Sequence, residues 1–307
     1  MATNPPWKNK HNMSDIFVSD LIEGNFPEIK VESVSKIGEG WDNTTWLVNN
    51  LWSFRLPKHE LAATLIQNEI RLLPILPELG VAYPRPIFIA KASKNYPYPF
   101  YGHVFLFGET ADKCCLLNHE RALLAEPIAQ FLKNLHAINI DEMRGLGVSA
   151  DHLQRLNPMA RFKELEERIN YLSTQELVKD ILFFYEFCKK YKSVQVPKDL
   201  VLAHGDFYAK HLILNKDKKL HAVIDWGDSE LIHPAVDLAI VYLFLPKASH
   251  QRFWTIYGSV DEQIHLLARL RAVFSLVTQC WYSHKVSDHH LFQESLAGFE
   301  LLRENIF

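Results

Sequence analysis

Charge of either sign is scarce in excess: 33 lysines and arginines nearly balance 36 aspartates and glutamates, and a net charge of −3 gives nucleic acid or an anionic membrane no electrostatic reason to bind. Long apolar runs are missing as well, since no stretch approaches the roughly 18 consecutive apolar residues that a membrane-spanning helix needs. The opening Met1-Ala2-Thr3-Asn4-Pro5-Pro6-Trp7-Lys8 is polar and broken by proline, with no apolar segment; a loose arm over residues 1–12 and a cytoplasmic location are expected. Cysteine is limited to Cys114, Cys115, Cys188 and Cys280, whose spacing suits neither a Cys-x-x-Cys metal site nor a disulfide framework, so reduced thiols are expected. Internal repeats and low-complexity segments are absent. What remains is a chain of 307 residues, 48% hydrophobic and 22% charged, which can bury a large core and form two lobes rather than one small domain.

Chemistry is concentrated between residues 201 and 238. Val201-Leu202-Ala203 leads into His204-Gly205-Asp206, and Phe207-Tyr208-Ala209-Lys210-His211 follows. Downstream come Ile224-Asp225-Trp226-Gly227-Asp228 and Pro234-Ala235-Val236-Asp237-Leu238-Ala239. Alternation and β-branched content over 211–215 and 220–224, around the turn-like Asn215 to Lys219, predict a hairpin. Asp206 then sits on the loop before the hairpin and Asp225 directly after its second strand. Phosphoryl transfer asks for such a set: one carboxylate to orient and deprotonate the attacking hydroxyl, and ligands that hold a divalent ion on the nucleotide phosphates. Asp206 suits the first role, while His211, five residues on, and Asp225, nineteen residues on, suit the second. His211 is also compatible with a loop residue that only hydrogen-bonds, and Asp228 is open to joining the metal shell directly or through water.

Taken together, the three ordered blocks resemble the aminoglycoside phosphotransferase family, whose fold is similar to that of protein kinases. The resemblance covers roughly residues 33–304. It implies an α+β, protein-kinase-like two-lobe fold, with a small antiparallel-sheet N-lobe over 13–108 and a mostly helical C-lobe over 109–307. It also implies transfer of the γ-phosphate of ATP or GTP to a hydroxyl of a small molecule, with Mg²⁺ or Mn²⁺. The expected partners are nucleotide and acceptor alone, without nucleic acid or membrane, in a monomer or weak dimer. In the family, Asp237 has the role of bracing the catalytic loop. One departure stands out: most members carry asparagine where this chain has His211, although macrolide phosphotransferases and some other relatives carry histidine. Imidazole suits softer divalent ions better than Mg²⁺, which leaves the metal preference open.

The remaining kinase parts are legible upstream. Gly38-Glu39-Gly40 lies in a turn between two strand-like runs, where glycine allows close backbone approach over the nucleotide phosphates. After the tight-turn pair Asn49-Asn50, Leu51 to Pro57 alternates as a third strand. It carries Arg55 where a kinase-like fold has its phosphate-gripping lysine. Glu69 lies on a stretch with helical spacing over 59–73, so an Arg55–Glu69 pair would align the guanidinium on the phosphates; the same pair is also compatible with an ordinary ion pair. Residues 84–99 are proline-rich and expected to be irregular, whereas Tyr101 to Glu109 reads as a strand ending in a turn. The resemblance makes that turn the hinge, with Phe105 and Phe107 as candidate purine-contacting positions.

Helical periodicity is expected over 117–139, with a start or kink at Glu126-Pro127, and over 157–172, 174–191, 235–246, 261–281 and 288–304. His136, on an apolar helical face, reads as a hydrogen-bonded core residue, and His284, His289 and His290 as solvated. The acceptor stays open between an aminoglycoside or similar sugar-like compound, a macrolide, and a metabolite such as choline, homoserine or a sugar. Acids (Asp228, Glu230, Asp261, Glu262) and aromatics (Trp254, Tyr257, Phe274, Trp281, Tyr282) offer ingredients for either a polycation or an apolar acceptor, although most of the acids are expected at the surface and most of the aromatics in the core. A degenerate kinase that binds nucleotide without transfer is the rival. A protein kinase is disfavoured, because only eight residues separate Asp225 from Pro234, too few for a long activation loop.

Overall fold

The computed structural model describes residues 13–306, so the arm expected over 1–12 lies outside the described residues. Two compact units are present: the first takes the chain through Pro77, Ala82–Phe107 and the short Ile224–Asp228, and the second takes Glu78–Val81, Gly108–Val223 and the chain from Ser229 onward.

The first unit is built on a five-stranded antiparallel sheet of β1 (Val34–Glu39), β2 (Asn43–Val48), β3 (Trp52–Pro57), β4 (Phe88–Ala90) and β5 (Phe100–Val104), in the order β1-β2-β3-β5-β4. Asn49 and Asn50 both adopt φ of 53°, the left-handed pair that closes a tight hairpin between β2 and β3. Strand β4 corrects the expectation of irregular structure over 84–99. Its Phe88-Ile89-Ala90 triplet follows the last proline of its loop and pairs at the sheet edge, where proline-flanked strands are tolerated.

Helix α1 (Asp15–Asn25), capped by the Ser14 hydroxyl accepting from the Phe17 N–H, was not anticipated. Val18, Ile22 and the following Phe26 pack with Trp46, Phe54 and Phe100 in one apolar cluster under the sheet. Helix α2 (Glu60–Leu72) forms where periodicity predicts it, its first turn capped by the His59 ring accepting from the Ala62 N–H. Its buried face includes Ala62, Ile66 and, unusually for a helix interior, Glu69.

The second unit is mostly helical. Small strands β6 (Glu109–Thr110), β7 (Val201–Ala203), β8 (Leu212–Leu214), β9 (Leu220–Val223) and β10 (Glu230–Ile232) form two ladders, β6-β8-β9 and β10-β7. The β8–β9 hairpin lies where expected, with Leu212 opposite Val223. Helices α3 (Asn118–Leu123) and α4 (Ala125–His136) replace the first expected run, broken at Leu124 just before Glu126-Pro127. Then come α5 (Ile140–Gly145), α6 (Pro158–Thr174), α7 (Ile181–Lys190), α8 (Ala235–Leu238), α9 (Ile240–Leu243), α10 (His250–Tyr257), α11 (Glu262–Val286) and α12 (His289–Ile306). Helix α7 begins later than the run from 174 suggests, because Glu176 and Asp180 turn to φ of 50° and 53°. The apolar side of α11 includes Leu267, Leu270, Phe274 and Val277, and the helix packs on α6, α8, α9 and α12. Arg121 of α3 reaches Glu294 of α12 through two parallel contacts of 2.6 Å, both side chains buried.

Candidate active site

In the first unit, β3 alternates so that Arg55 points away from solvent toward α2, where two carboxylates meet its guanidinium. Arg55 Nη2 lies 3.1 Å from Glu69 Oε1 and 2.7 Å from Asp225 Oδ1. Glu69, fully buried, also accepts the Trp226 N–H at 2.9 Å on Oε1 and the Tyr101 hydroxyl at 2.7 Å on Oε2. Sheet register explains the tyrosine, because Arg55 and Tyr101 are directly opposite on β3 and β5. Burial acts against the Arg55 charge, but Glu69 and Asp225 outweigh it and hold the guanidinium above its usual range. Burial pushes the Glu69 carboxyl up, against the pull of Arg55 and with the repulsion of Asp225 added. Burial and the neighbouring Glu69 likewise keep the Tyr101 phenol well above its ordinary value, so it stays a donor.

Asp225 stands at φ of 66°, a left-handed conformation that aspartate tolerates better than most residues and that recurs at functional positions. Two residues on, Gly227 permits close approach to α2: a Cβ there would lie 2.9 Å from the Leu65 Cβ. Arg55 Nε has no hydrogen-bond partner among the described residues, which leaves the guanidinium a donor to offer an anion.

The turn between β1 and β2 carries Gly38 and Gly40. A bulge between Lys36 and Gly38 shifts the ladder, and Gly40 N–H donates to the Asn43 carbonyl at 2.9 Å. Lys58, which sequence reasoning missed, is buried and ties this turn down, its Nζ 2.9 Å from the Gly40 carbonyl and 3.3 Å from Glu39 Oε1. The Phe105 N–H donates to the Leu51 carbonyl at 2.8 Å and is thereby committed to the sheet, while Phe107 is exposed and stacks edge-on with Phe105.

In the second unit, the loop after β7 carries Asp206. Gly205 takes φ of 86°, which a side chain would strain, and the turn exposes two consecutive N–H groups. Asp237 of α8, fully buried, collects both: His204 N–H at 2.7 Å on Oδ2 and Gly205 N–H at 2.9 Å on Oδ1. His136 Nε2 adds a contact of 3.2 Å to Oδ2, and its Nδ1 meets the Tyr257 hydroxyl at 2.8 Å. Burial pushes the Asp237 carboxyl up, but His136, His204 and the backbone donors prevail and it stays below its usual range. Asp237 therefore braces the loop, and His136 is a hydrogen-bonded core residue, as expected. His204 is fully buried and its ring accepts the Asp206 N–H at 3.4 Å.

His211 Nδ1 lies 2.7 Å from the Asp206 carbonyl, which only accepts, so of the two neutral tautomers this contact selects the one protonated on Nδ1. That tautomer is the one a metal-ligating imidazole adopts when a carbonyl orients it. An imidazole oriented in this way can ligate a divalent ion. Among the described residues no group of three histidine, cysteine or acidic side chains is ready-made for a metal, so phosphate oxygens and water would complete a shell.

Of the acids named as possible walls for a polycation, three are committed elsewhere. Glu230 corrects the reading of these as surface groups: it is buried and accepts from Ser149 at 2.7 Å, His152 at 2.6 Å and Arg155 at 2.9 Å. Asp261 caps α11 by accepting the Ile264 N–H, and Glu262 pairs with Arg269 at 2.5 Å. Tyr101 and the Trp226 N–H were missed because only sheet register and a residue far downstream reveal them. Lys58 gave one faint signal, its place directly after the strand bearing Arg55.

The chain is similar to several known proteins. A curated relative, acyl-CoA dehydrogenase family member 11 of Pongo abelii, is 24% identical over 236 residues, covering 72% of this chain. The chain spans only 29% of that protein's length. Among solved structures, wild-type aminoglycoside 2'-phosphotransferase-IIIa in complex with GDP matches with a TM-score of 0.69 at 23% identity, over 96% of this chain and all of that one. Macrolide 2'-phosphotransferase MphH from Brachybacterium faecium matches with a TM-score of 0.61 at 17% identity, over 92% of this chain and 97% of that one. These structural likenesses establish the kinase-like fold. A sequence profile described as the phosphotransferase enzyme family, APH, matches residues 33–272, more than three quarters of the sequence, and the chain belongs to that family of kinase-type phosphotransferases.

Proposed function

We propose that the protein moves the γ-phosphate of ATP or GTP to a hydroxyl of a small molecule, with residues 13–108 as the nucleotide lobe and 109–307 carrying the catalytic loop. The observation that carries the reading is the buried Arg55 held between Glu69 and Asp225 with a donor to spare. A guanidinium so fixed loses little freedom when it meets phosphate oxygens, which it engages as a planar fork. The Gly38–Gly40 turn, tethered by Lys58, covers the phosphates, and the Phe105–Phe107 segment receives the base. GDP in the aminoglycoside phosphotransferase complex supports a nucleotide ligand of this kind.

Asp206 accepts the acceptor's hydroxyl proton as that oxygen bonds to the γ-phosphorus and the bond from the γ-phosphorus to the β,γ-bridging oxygen breaks, leaving the nucleoside diphosphate. The Asp237 brace holds Asp206 in place for this. His211 and Asp225 would hold the divalent ion, which neutralises phosphate charge when bound. An aminoglycoside, a macrolide or a small metabolite would supply the hydroxyl.

The reading is tested by Asp206→Asn. Turnover is expected to fall by at least about 100-fold with nucleotide affinity nearly intact. Undiminished phosphate transfer in that variant would overturn the assignment, and nucleotide binding without transfer to any acceptor would favour the degenerate kinase.

A further inference from the structure

Helices α6 and α11 meet through Arg168, whose Nη1 contacts Thr278 Oγ1 at 2.6 Å. Two turns back along each helix, on those same faces, lie Arg161 and Arg271. A third guanidinium joins them from the segment before α6. Arg155 Nη1 is 2.9 Å from Glu230 Oε2 and 3.0 Å from Asp151 Oδ1, and this segment is stitched to β10 by the Leu231 N–H donating to the Ser149 carbonyl at 2.8 Å. Glu230 is in register with Ala203 of β7, so the Arg155 anchor stands beside the strand that delivers Asp206.

The charges in this cluster do not balance. Arg155 is matched by Glu230 and Asp151, and Arg161 by Glu164 at 2.7 Å. Arg271, half-buried, makes no hydrogen bond or ion pair among the described residues. Burial and the charges of Arg155 and Arg161 pull its guanidinium down to about 10, while Asp206 and Asp151 pull the other way. A guanidinium in these surroundings lacks negative charge, and a bound anion would supply it. Three of the four acids named as walls for a polycation are already engaged with Arg155, Arg269 or the first turn of α11.

We propose that Arg271 receives an anionic group of the acceptor, a carboxylate or phosphate, beside the hydroxyl that Asp206 orients, so that the acceptor is an anionic hydroxy compound rather than a polycation. The inference rests on Asp206 acting as the base in the proposed transfer. It sets the polarity of the acceptor pocket opposite to what an aminoglycoside requires.

The experiment uses acceptors matched in threes, a hydroxy acid, its amide and the corresponding amino alcohol, with the protein of residues 1–307 and the variants Arg271→Gln and Arg271→Lys. Transfer from ATP is measured for each, and thermal stabilisation by the same compounds is read with a non-hydrolysable ATP analogue, so that compounds bound without transfer still count. The hydroxy acid is expected to be preferred by kcat/KM or by stabilisation. Arg271→Gln should remove about tenfold or more of that preference through KM, and Arg271→Lys should restore part of it. Equal treatment of all three compounds by the wild type, preference for the amino alcohol, or an equal loss on all three in Arg271→Gln would overturn the proposal. Failure of the underlying phosphotransfer reading looks different: the nucleotide itself would neither stabilise the wild type nor be consumed.

Discussion

Replacing Asp237 by asparagine keeps the volume and removes one acceptor. Its Oδ2 serves the His204 N–H at 2.7 Å and His136 at 3.2 Å, and its Oδ1 serves the Gly205 N–H at 2.9 Å. An amide nitrogen at the Oδ1 position strands one buried N–H, and at the Oδ2 position it strands two groups. The cheaper arrangement leaves the Gly205 N–H unmet, at about 1–3 kcal/mol. The two bonds that survive lose their charged acceptor, roughly 1 kcal/mol each, and relief of a buried charge offsets part of the total. A net loss of about 2–4 kcal/mol is expected, or a fall in melting temperature of roughly 3–6 °C. Because the unmet group is the residue before Asp206, turnover should fall by at least about tenfold while nucleotide affinity holds. Calorimetry and steady-state kinetics on the same preparation check both halves. The folded pKa of Asp237 lies below its unfolded value, so its contribution is present above the unfolded pKa and lost as pH falls through the folded one. The asparagine variant should lack that share of acid sensitivity. Unchanged melting and unchanged turnover together would refute the brace.

Tyr101→Phe removes the hydroxyl 2.7 Å from Glu69 and is expected to cost about 2 kcal/mol in chemical denaturation, with nucleotide Kd rising several-fold; undisturbed stability would contradict the role given to that bond. His103, buried on β5, is held down to about 4 by burial, against an unfolded value of 6.5. It therefore stays neutral in the fold while the unfolded chain takes up a proton, and about 3 kcal/mol of stability should be lost as pH falls from about 6.5 to about 4. Urea titrations across that window should show a shallower decline in His103→Gln, and parallel declines in the two proteins would count against it.

Legibility in the sequence followed the range of the interaction involved. The β8–β9 hairpin, helix α2 and the break before Pro127 are written in local alternation, spacing and proline chemistry, and they lie where those signals put them. Arg55 and Glu69 were paired correctly because they are fourteen residues apart on adjoining elements. Helix α1 is hard to see in the sequence because only Val18, Leu21 and Ile22 of its eleven residues are buried, and the three-residue β7 and β10 are too short for alternation to identify. Glu230 was taken for a surface acid since nothing near it in the chain reveals Arg155, 75 residues away. Arg271 likewise looks like one more polar position on a long helix until α6 and the segment before it are brought alongside.

The contact between Arg55 and Asp225 spans 170 residues, and that between Glu69 and the Trp226 N–H spans 157. At about 5–20 residues per second, a ribosome needs roughly ten to thirty seconds to make that intervening chain. The five-stranded sheet is complete in sequence by Val104, so through most of that interval the nascent first unit holds a guanidinium and a carboxylate whose third partner does not yet exist. Such a unit is caught between collapse, which is fast, and completion, which must await translation. Chains halted before Ile224 should therefore be markedly more dependent on chaperones than chains halted just beyond Asp228.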